Sequence, residues 1–388
     1  MRPLDGLKVL DLARVLSGPY VGRMLADLGA DVVKVEPPDG DVTRNWGEVR
    51  NGLSAFYTQQ NAGKRNVGVD LKAPGGPELV GRLADRADVV IENFRPGVLA
   101  RFGLSWDELS ARNPRLVMLS ITGFGQDGPE SGRQAYAPVL HAESGVLGRQ
   151  ARFDERTASD LVLSVADTNA ALHGLVGLLA ALQLRERTGR GQHIDLAMFD
   201  AMLATDDYVH HALDESAIVR LGGQVFAAVG GDLLISSEPK YLWRQLNRIH
   251  GVVDPTPEGA SLDEKIAHRN AAIAEWVLGF DDRDVLRRAL EDANLPWADV
   301  RAPEDVVRSP TAQHRGVSAE VDDRAGGVRR VVQSPYRFSD AESGVRGGAP
   351  HRGEHNGEVL AEWLDLGDAE VAELHECGAL NVDEASGG

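Results

Sequence analysis

The sequence predicts an α/β protein in which helices cover a mostly parallel sheet and a smaller α+β domain follows. Three observations predict this class. The 388 residues are enough for one large and one smaller domain. Up to Ala197, short apolar runs alternate with stretches of helical spacing, as is typical of successive β-α-β units. Beyond Val225, short strand-like runs precede charged helices, which favours a separate α+β unit.

The hydrophobic pattern places the elements of the large domain in order. Strands are expected at 7–12, 30–35, 67–69, 88–91, 116–121 and 193–197. Helices are expected at 19–28, 76–85 and 170–184. The last of these helices is apolar nearly all round, so we expect it to be buried in the middle of the domain.

Changes of composition predict the domain boundaries. A small domain is expected at 222–325, between linkers at 206–221 and 326–357. The large domain is expected to comprise 1–205 and a C-terminal return at 358–388. The small domain should contain strands at 225–228 and 232–236 and helices at 242–249, 262–278 and 283–294, and short helices should follow at 359–364 and 369–374.

Composition limits the partners that we expect. Lys and Arg total 41 against 59 Asp and Glu, a net charge of −18, which disfavours nucleic acid and anionic membranes as general partners. A single cysteine, Cys377, excludes an intramolecular disulfide and suits a reducing compartment. We see no membrane span or leader, so a cytoplasmic location is expected.

The first β-α-β unit ends in Glu36, where an acid could bind the ribose of a dinucleotide. The turn before its helix, ARVLSGP at 13–19, has one glycine and not the G-x-G-x-x-G pattern. Binding of a nicotinamide or flavin cofactor is therefore disfavoured. His351 and His355 lie in a Gly- and Pro-rich linker that would not hold both rings together, so no metal site is expected.

Asp167 directly precedes the apolar helix and has two interpretations. It could cap the helix by accepting its first amides. It could also be a nucleophile, because a carboxylate at a buried helix N-terminus is fixed in one orientation and can attack an acyl carbon. Residue pattern alone favours the cap.

Eight short segments together resemble the class III CoA-transferase family, also called the CaiB/BaiF family. They are GLKVLD (6–11) with GP (18–19), LGADVVKVEP (28–37), NAGKR (61–65), ENFRPG (92–97), NPR (113–115), ITGFG (121–125), RTGRGQ (187–192) and GEHN (353–356). The resemblance implies a Rossmann-like large domain plus a smaller α+β domain in an interlocked-ring homodimer. Each active site would then need both chains.

The resemblance also implies the site and its chemistry. Asp167 matches the family's catalytic aspartate, which attacks an acyl-CoA thioester and passes CoA to a carboxylic acid through an aspartyl thioester. CoA and acyl-CoA are then substrates, and no cofactor or metal is bound permanently. The implied CoA-binding residues are Val15, Leu16, Leu71, Lys72, Asn93, Phe94 and Arg101. The implied substrate-pocket residues are Tyr136, Ala137, Gly222, Gly223 and Glu238.

The sequence departs from the formyl-CoA transferases of this family. Pro37 and Pro38 stand where those enzymes carry a nucleotide-binding arginine, and the glycine-rich loop is reduced to 221–224. Leu16 replaces a glutamine, and the Ala137–Pro138 pair replaces Tyr-Glu. These changes predict an acyl pocket less polar than an oxalate enzyme needs.

Two alternatives stay open. A 2-methylacyl-CoA racemase would use a histidine and the same aspartate as two bases, but Tyr136 and Ala137 align with the racemase His-Asp pair. Glu238 does match a racemase glutamate, whereas His141 is expected to be a packing or polar-core residue. A non-catalytic acyl-CoA-binding protein with the same fold is the other alternative.

Overall fold

The computed structural model describes residues 1–216 and 223–383, and the chain divides into two compact units. The larger unit contains 1–209 and the chain from 316 onward, and the smaller unit contains 210–315. The chain therefore leaves the larger unit once and returns to it. The sequence-based assignment, with a small domain at 222–325, stays a prediction.

The strands are β1 (Lys8–Asp11), β2 (Asp31–Glu36), β3 (Val49–Arg50), β4 (Leu53–Ser54), β5 (Arg65–Val69), β6 (Val89–Glu92), β7 (Val117–Thr122), β8 (His193–Ala197), β9 (Gly223–Phe226), β10 (Leu233–Ser236), β11 (Trp297–Asp299), β12 (Ser318–Asp322), β13 (Val328–Val332) and β14 (Leu380–Asn381). The helices are α1 (Ser17–Asp27), α2 (Ala55–Asn61), α3 (Gly76–Arg86), α4 (Trp106–Arg112), α5 (Ala137–Glu143), α6 (Val146–Phe153), α7 (Val165–Thr188), α8 (Met198–Thr205), α9 (Val209–Leu213), α10 (Pro239–His250), α11 (Leu262–Leu278), α12 (Arg283–Asp292), α13 (Pro303–Val306), α14 (Pro310–Arg315), α15 (Asn356–Leu364) and α16 (Asp368–Glu376). Two 3-10 turns cover Val42–Asn45 and Leu99–Phe102.

The large sheet has seven strands in the order β14-β5-β2-β1-β6-β7-β8. All neighbours pair in parallel except β14, which runs antiparallel to β5. The predicted α/β class with a mostly parallel sheet is confirmed. The central strands are rich in Val, Ile and Leu, because helices cover both faces of a parallel sheet.

Two apolar clusters fill the two faces of this sheet. One joins α1, α5, α7 and α8 to the sheet. The other joins α3 to α15, whose Val359, Leu360 and Trp363 are buried against β5 and its neighbours. Helix α15 is thereby part of the core of the larger unit.

The expectation that the long apolar helix is buried all round is wrong for the single chain. One side of α7 packs on α1, β7 and α8, and Gly174 lets Leu119 approach its backbone. The opposite side leaves Leu172, Val176 and Leu179 exposed by 45%, 66% and 36%. By length and composition α7 would also suit a membrane span, a property that core helices of soluble proteins share.

The smaller unit has its own antiparallel sheet, in the order β11-β10-β9. Its apolar core is formed by α10, α11 and α12 against this sheet. The predicted helix at 262–278 is confirmed, and its start at Ser261 carries a reciprocal capping box with Glu264.

Candidate active site

A cavity of about 470 Å³ lies at the carboxyl ends of β1, β6, β7 and β8. The chain order of the strands reverses between β1 and β6, and in open parallel sheets ligands bind at such a reversal. The cavity is lined by Arg14, Val15, Ser17, Asn93, Phe94, Arg95, Pro96, Val98, Arg101, Ile121, Thr122, Gly123, Ser131, Arg133, Gln134, Ala135, Tyr136, Asp167 and Met198.

Asp167 is the acid in this lining, and it does not cap its own helix. It lies in the first turn of α7, after the cap position at Ser164. The hydroxyl and the amide of Ser17 and the amide of Ala137 face its carboxylate and lower its pKa. Ser17 and Ala137 are the first residues of α1 and α5. The first amides of a helix have no partner within it, so two helices supply free donors to this carboxylate.

Burial raises the pKa of Asp167 to about 6, and the hydrogen bonds from Ser17, with smaller effects from His141 and Ala137, oppose that rise. A carboxylate in water has a pKa near 4. Asp167 is thus more basic than an exposed aspartate and still mostly ionised at neutral pH. These are the properties that a carboxylate nucleophile needs.

His141 holds the start of α7 in place through hydrogen bonds. Its ring is 1% exposed. Nε2 accepts the amide of Ala166 at 3.3 Å, so Nδ1 carries the proton and donates to Asp160 at 2.9 Å. Because both ring nitrogens are engaged, His141 has no free atom to act as a base on a ligand.

The loop between β1 and α1 is held in a strained conformation. Val15 has φ 69, a left-handed conformation that is unfavourable for a β-branched residue. Asp41 accepts its amide at 3.1 Å, and Lys34 donates to the carbonyl of Ala13 at 2.7 Å. Gly18 then lets α1 pass close to Ala13, whose Cβ would lie 2.1 Å from a Cβ at position 18.

Asn93 joins this loop to the end of β6. Its Oδ1 accepts the amide of Arg14 at 2.9 Å, and its Nδ2 donates to the carbonyl of Arg14 at 2.8 Å. Nδ2 also donates to Oγ of Ser17 at 3.2 Å. Next to it, Glu92 accepts the amide of Phe94 at 2.8 Å, and burial raises the pKa of Glu92 to about 7. Asn93 thereby fixes Arg14 and Ser17, which line the same cavity as Asp167.

The cavity is rich in cations. Arg14, Arg95, Arg101 and Arg133 line it, and Arg133 is already paired with Glu130 and Glu143. In a protein of net charge −18, this concentration of guanidinium groups gives an anionic ligand a local site. Within 1–216 and 223–383, no group of three or more His, Cys, Asp or Glu is placed to hold a metal ion.

Glu36, the acid that could have bound a ribose, is not available for a ligand. It is 1% exposed and accepts from Arg44 at 2.8 Å, from Asn66 at 2.8 Å and from the hydroxyl of Tyr57. Although burial alone would raise its pKa, Arg44 lowers it below the usual value. This carboxylate is therefore a structural anchor for the segment that follows β2.

The family profile described as CoA-transferase family III matches residues 4–356. The chain belongs to this CoA-transferase family. It is 35% identical over 384 residues to succinate–glutarate CoA-transferase from Agrobacterium fabrum, covering 93% of this chain and 95% of the relative. It is 32% identical over 413 residues to formyl-CoA:oxalate CoA-transferase from Streptomyces avermitilis, covering 98% of this chain and all of the relative.

Solved structures agree with this membership of family III. A CaiB/BaiF family protein from Brucella suis superposes with a TM-score of 0.80 at 33% identity, covering 93% of this chain and 99% of that chain. Rv3272 from Mycobacterium tuberculosis superposes with a TM-score of 0.79 at 29% identity, covering 94% and 99%.

Some of the residues implied by the CoA-transferase resemblance line one cavity. They are Val15, Asn93, Phe94, Arg101, Tyr136 and Asp167. Ala137 contributes its amide to Asp167, but its side chain is 2% exposed and buried in the core. Their roles in binding or catalysis stay predictions.

Other implied residues lie elsewhere. Leu16 is buried in the core and does not line the Asp167 cavity. Leu71 and Lys72 line a second, open cavity with Phe102 and Gly103. In the smaller unit, Gly223 begins β9 and Glu238 caps α10 through the amides of Lys240 and Tyr241, whereas Gly222 lies outside the described residues.

These placements remove the basis for a less polar acyl pocket. That expectation depended on Leu16, Ala137 and Pro138, and none of these side chains lines the cavity. The lining instead includes four arginines, Thr122, Ser131 and Gln134. A replacement changes pocket polarity only where its side chain faces the ligand.

Sequence analysis missed Ser17 and Arg14. Both lie within the 13–19 segment already quoted, and Ser17 stands at the start of the predicted first helix. A hydroxyl at a helix start is usually interpreted as a cap. Only the fold shows that this hydroxyl faces a carboxylate 150 positions later.

Proposed function

We propose that this protein transfers CoA from an acyl-CoA donor to a carboxylic acid, with Asp167 as the covalent nucleophile. The observation that carries the proposal is Asp167 itself. It lies in a cavity with four arginines, is mostly ionised at neutral pH, and is fixed by donors from two helix starts. A desolvated carboxylate attacks an acyl carbon more readily than a hydrated one.

The reaction would proceed by four exchanges at carbonyl carbons. A carboxylate oxygen of Asp167 attacks the thioester and expels CoA as a thiolate, which leaves an acyl-aspartyl anhydride. The thiolate then attacks Cγ of Asp167 and releases the donor acid. The acceptor carboxylate next attacks the aspartyl thioester, and the thiolate finally attacks the acceptor's acyl carbon to release acyl-CoA and free Asp167.

The cavity offers suitable partners for CoA. Arg95 and Arg101 are guanidinium donors for phosphate, and Asn93 and Phe94 line the same cavity as Asp167. The second cavity, with Leu71 and Lys72, is a further phosphate site in this proposal. CoA is a substrate in this scheme and needs no permanently bound cofactor.

The assembly proposed is an interlocked homodimer in the cytoplasm, with a Rossmann-like large domain. The exposed stripe of Leu172, Val176 and Leu179 supports a partner chain, because apolar side chains aligned on one helix face are usually covered. The seven-stranded order, with one reversal beside the cavity, supports the nucleotide-binding type of sheet.

A racemase is not favoured by the geometry. Such an enzyme needs a second base opposite Asp167, and His141 uses both nitrogens on Asp160 and Ala166. Incubation of the wild type with a 2-methylacyl-CoA in deuterated water should therefore give no α-deuterium. Uptake of deuterium would replace this proposal with α-proton exchange.

The deciding experiment is intact-mass spectrometry after incubation with succinyl-CoA, glutaryl-CoA, formyl-CoA and branched acyl-CoAs. The first three are chosen because relatives are named for succinate, glutarate and formyl-CoA. We expect a CoA-bound mass, mapped to Asp167 by hydroxylamine trapping, and none in Asp167→Asn. Equal CoA exchange by the wild type and Asp167→Asn would overturn the proposal.

A further inference from the structure

Ser17 combines three features that bear on Asp167: its position in α1, its burial and the direction its polar groups face. It is the first residue of α1, its side chain is 3% exposed, and both its amide and its hydroxyl face Asp167. A serine hydroxyl has one hydrogen to donate and two lone pairs that accept. The direction of that hydrogen decides whether Ser17 stabilises negative charge on Asp167.

Asn93 fixes this direction. Its amide group is oriented because Oδ1 takes the N–H of Arg14 while Nδ2 donates to the carbonyl of the same residue, at 2.9 and 2.8 Å. A flipped amide would set two donors and two acceptors against each other. The group at 3.2 Å from Oγ of Ser17 is therefore a donor. Ser17 must accept from Asn93, which leaves its own hydrogen for Asp167.

We propose that Ser17 is a catalytic residue of CoA transfer, whose hydroxyl binds the Asp167 carbonyl oxygen on which negative charge develops, and that Asn93 is the residue that positions it. This inference rests on the proposed function. It adds a residue that acts when Asp167 is the group under attack and no longer the attacking group.

Two of the four exchanges take place at Cγ of Asp167. When the CoA thiolate attacks the anhydride there, a C–S bond forms and the carbonyl electron pair moves onto the aspartyl oxygen. Collapse restores the carbonyl and breaks the bond to the donor acyl oxygen, which leaves as a carboxylate. Attack by the acceptor carboxylate on the aspartyl thioester places charge on the same oxygen, and CoA then leaves as the thiolate.

The donors around the Asp167 carboxylate are in place before the reaction starts. The amides of Ser17 and Ala137 begin helices and have no partner within them, and the Ser17 hydroxyl is directed by Asn93. Preorganised donors of this kind stabilise an oxyanion without reorganisation. The two amides belong to the backbone, so Ser17 Oγ is the donor that a side-chain substitution can remove.

The test is a single-turnover experiment on the full chain with whichever acyl-CoA labels the wild type. The appearance of the CoA-bound mass is followed after acid quench. In Ser17→Ala its rate constant should fall by about a hundredfold, as when one donor to an oxyanion is removed. The dissociation constant for CoA should not change. Ser334→Ala, which removes a buried hydroxyl that has no hydrogen-bond partner, is the control and should keep the wild-type rate.

A second measurement separates catalysis from mere packing. Loss of the Ser17 donor should move the acid limb of the pH–rate profile to higher pH, since the hydroxyl favours ionised Asp167. The titratable and charged groups around this carboxylate are His141 from α5 and the cavity's Arg14, Arg95, Arg101 and Arg133, and the substitution leaves all of them in place. A purely structural serine would lower the yield of folded protein without moving the limb.

Asn93→Asp keeps the test decisive if Ser17→Ala does not fold. An aspartate has nearly the same shape but accepts where Asn93 donates, so the Ser17 hydroxyl would turn away from Asp167. We expect the same slower thioester formation and the same shift of the acid limb. Wild-type rates and limbs in both variants would overturn this inference alone. A wild type that forms no Asp167 adduct would overturn the proposed function and this inference together.

Discussion

His141 donates a hydrogen bond from Nδ1 to Asp160 across 2.9 Å, while Nε2 accepts one from the amide of Ala166 in the first turn of α7. The pair connects α5 to the segment that precedes α7, and the ring is 1% exposed. The His141 imidazole thus acts as a helix cap for the amide of Ala166, one residue before Asp167. Its role is to set where the turn that carries Asp167 begins.

His141→Ala should therefore destabilise the fold and misplace Asp167. It leaves the amide of Ala166 without its acceptor and opens a cavity, which costs about 2–4 kcal/mol in the free energy of unfolding. Urea denaturation followed by circular dichroism measures this loss. His375→Ala, at an exposed position on α16, serves as a control and should change stability by less than about 0.5 kcal/mol. Equal stability of the two variants would contradict the capping role.

The pKa of Asp167 predicts a pH dependence of stability with a definite sign. The folded value of about 6 lies above the value of 3.8 for an exposed aspartate. The native state therefore binds this proton more tightly than the unfolded chain. The contribution is fully present below about pH 4 and is lost as pH rises through 6, a change of about 3 kcal/mol.

Asp167→Asn removes this titration and should be inactive yet more stable than the wild type at pH 7, by about 2 kcal/mol. The comparison is made by urea unfolding at a series of pH values from 4 to 8. The stability gap between the two proteins should widen over that range. A gap that stays constant with pH would show that Asp167 has an ordinary pKa.

The two cavities can be distinguished by CoA affinity. Arg101→Met should weaken CoA binding by about tenfold or more, because it removes a charged donor to phosphate in the Asp167 cavity. Lys72→Met tests the second cavity in the same way. Isothermal titration with CoA and with dephospho-CoA shows which phosphate each residue contacts.

Arg190→Met, which changes an exposed cation after α7, is the matched control and should leave the affinity unaltered. Loss of affinity only in Lys72→Met would move the phosphate site away from Arg101. Equal weakening in all three variants would indicate a general effect of net charge, and that effect would disappear at high salt.

The exposed stripe on α7 predicts an association that a single charge can weaken. Val176 is 66% exposed in the single chain. If a second chain covers it, Val176→Arg buries an unpaired charge and should shift the protein toward smaller species in sedimentation velocity. His268→Arg on an exposed face of α11 adds the same charge elsewhere and should leave the assembly unchanged. A wild type that sediments as a monomer would contradict the expected dimer.

Periodicity predicted the sheet well because buried parallel strands have an unbroken apolar signature. The strand at 193–197 was predicted without error and five others within two residues at each end, whereas β14 was not predicted. The short helices α2, α5 and α6 were missed, since seven or eight residues give too few turns for a periodic signal. Tertiary contacts decide whether such segments are helical.

Sequence analysis can predict a site residue's role only where that role does not depend on contacts formed by the fold. Asp167 is singled out by the resemblance to the CoA-transferase family, because the residue pattern alone favours a cap, whereas the strain at Val15 has no signature in the sequence. The roles of Ser17 and Asn93 exist only through contacts between loops that follow β1 and β6. Leu16 shows the converse, since a residue next to the cavity in sequence can face the core.

The pairing of β14 with β5 affects the order in which the protein can mature. During synthesis, β5 emerges early, but its outer edge stays bare until the ribosome has added residues 380 and 381. A nascent chain therefore carries an unprotected strand edge until residues 380 and 381 have been added, and such edges recruit other strands. Termination just before Leu380 should yield aggregates and not a slightly shortened enzyme, because the outer edge of β5 would stay unpaired.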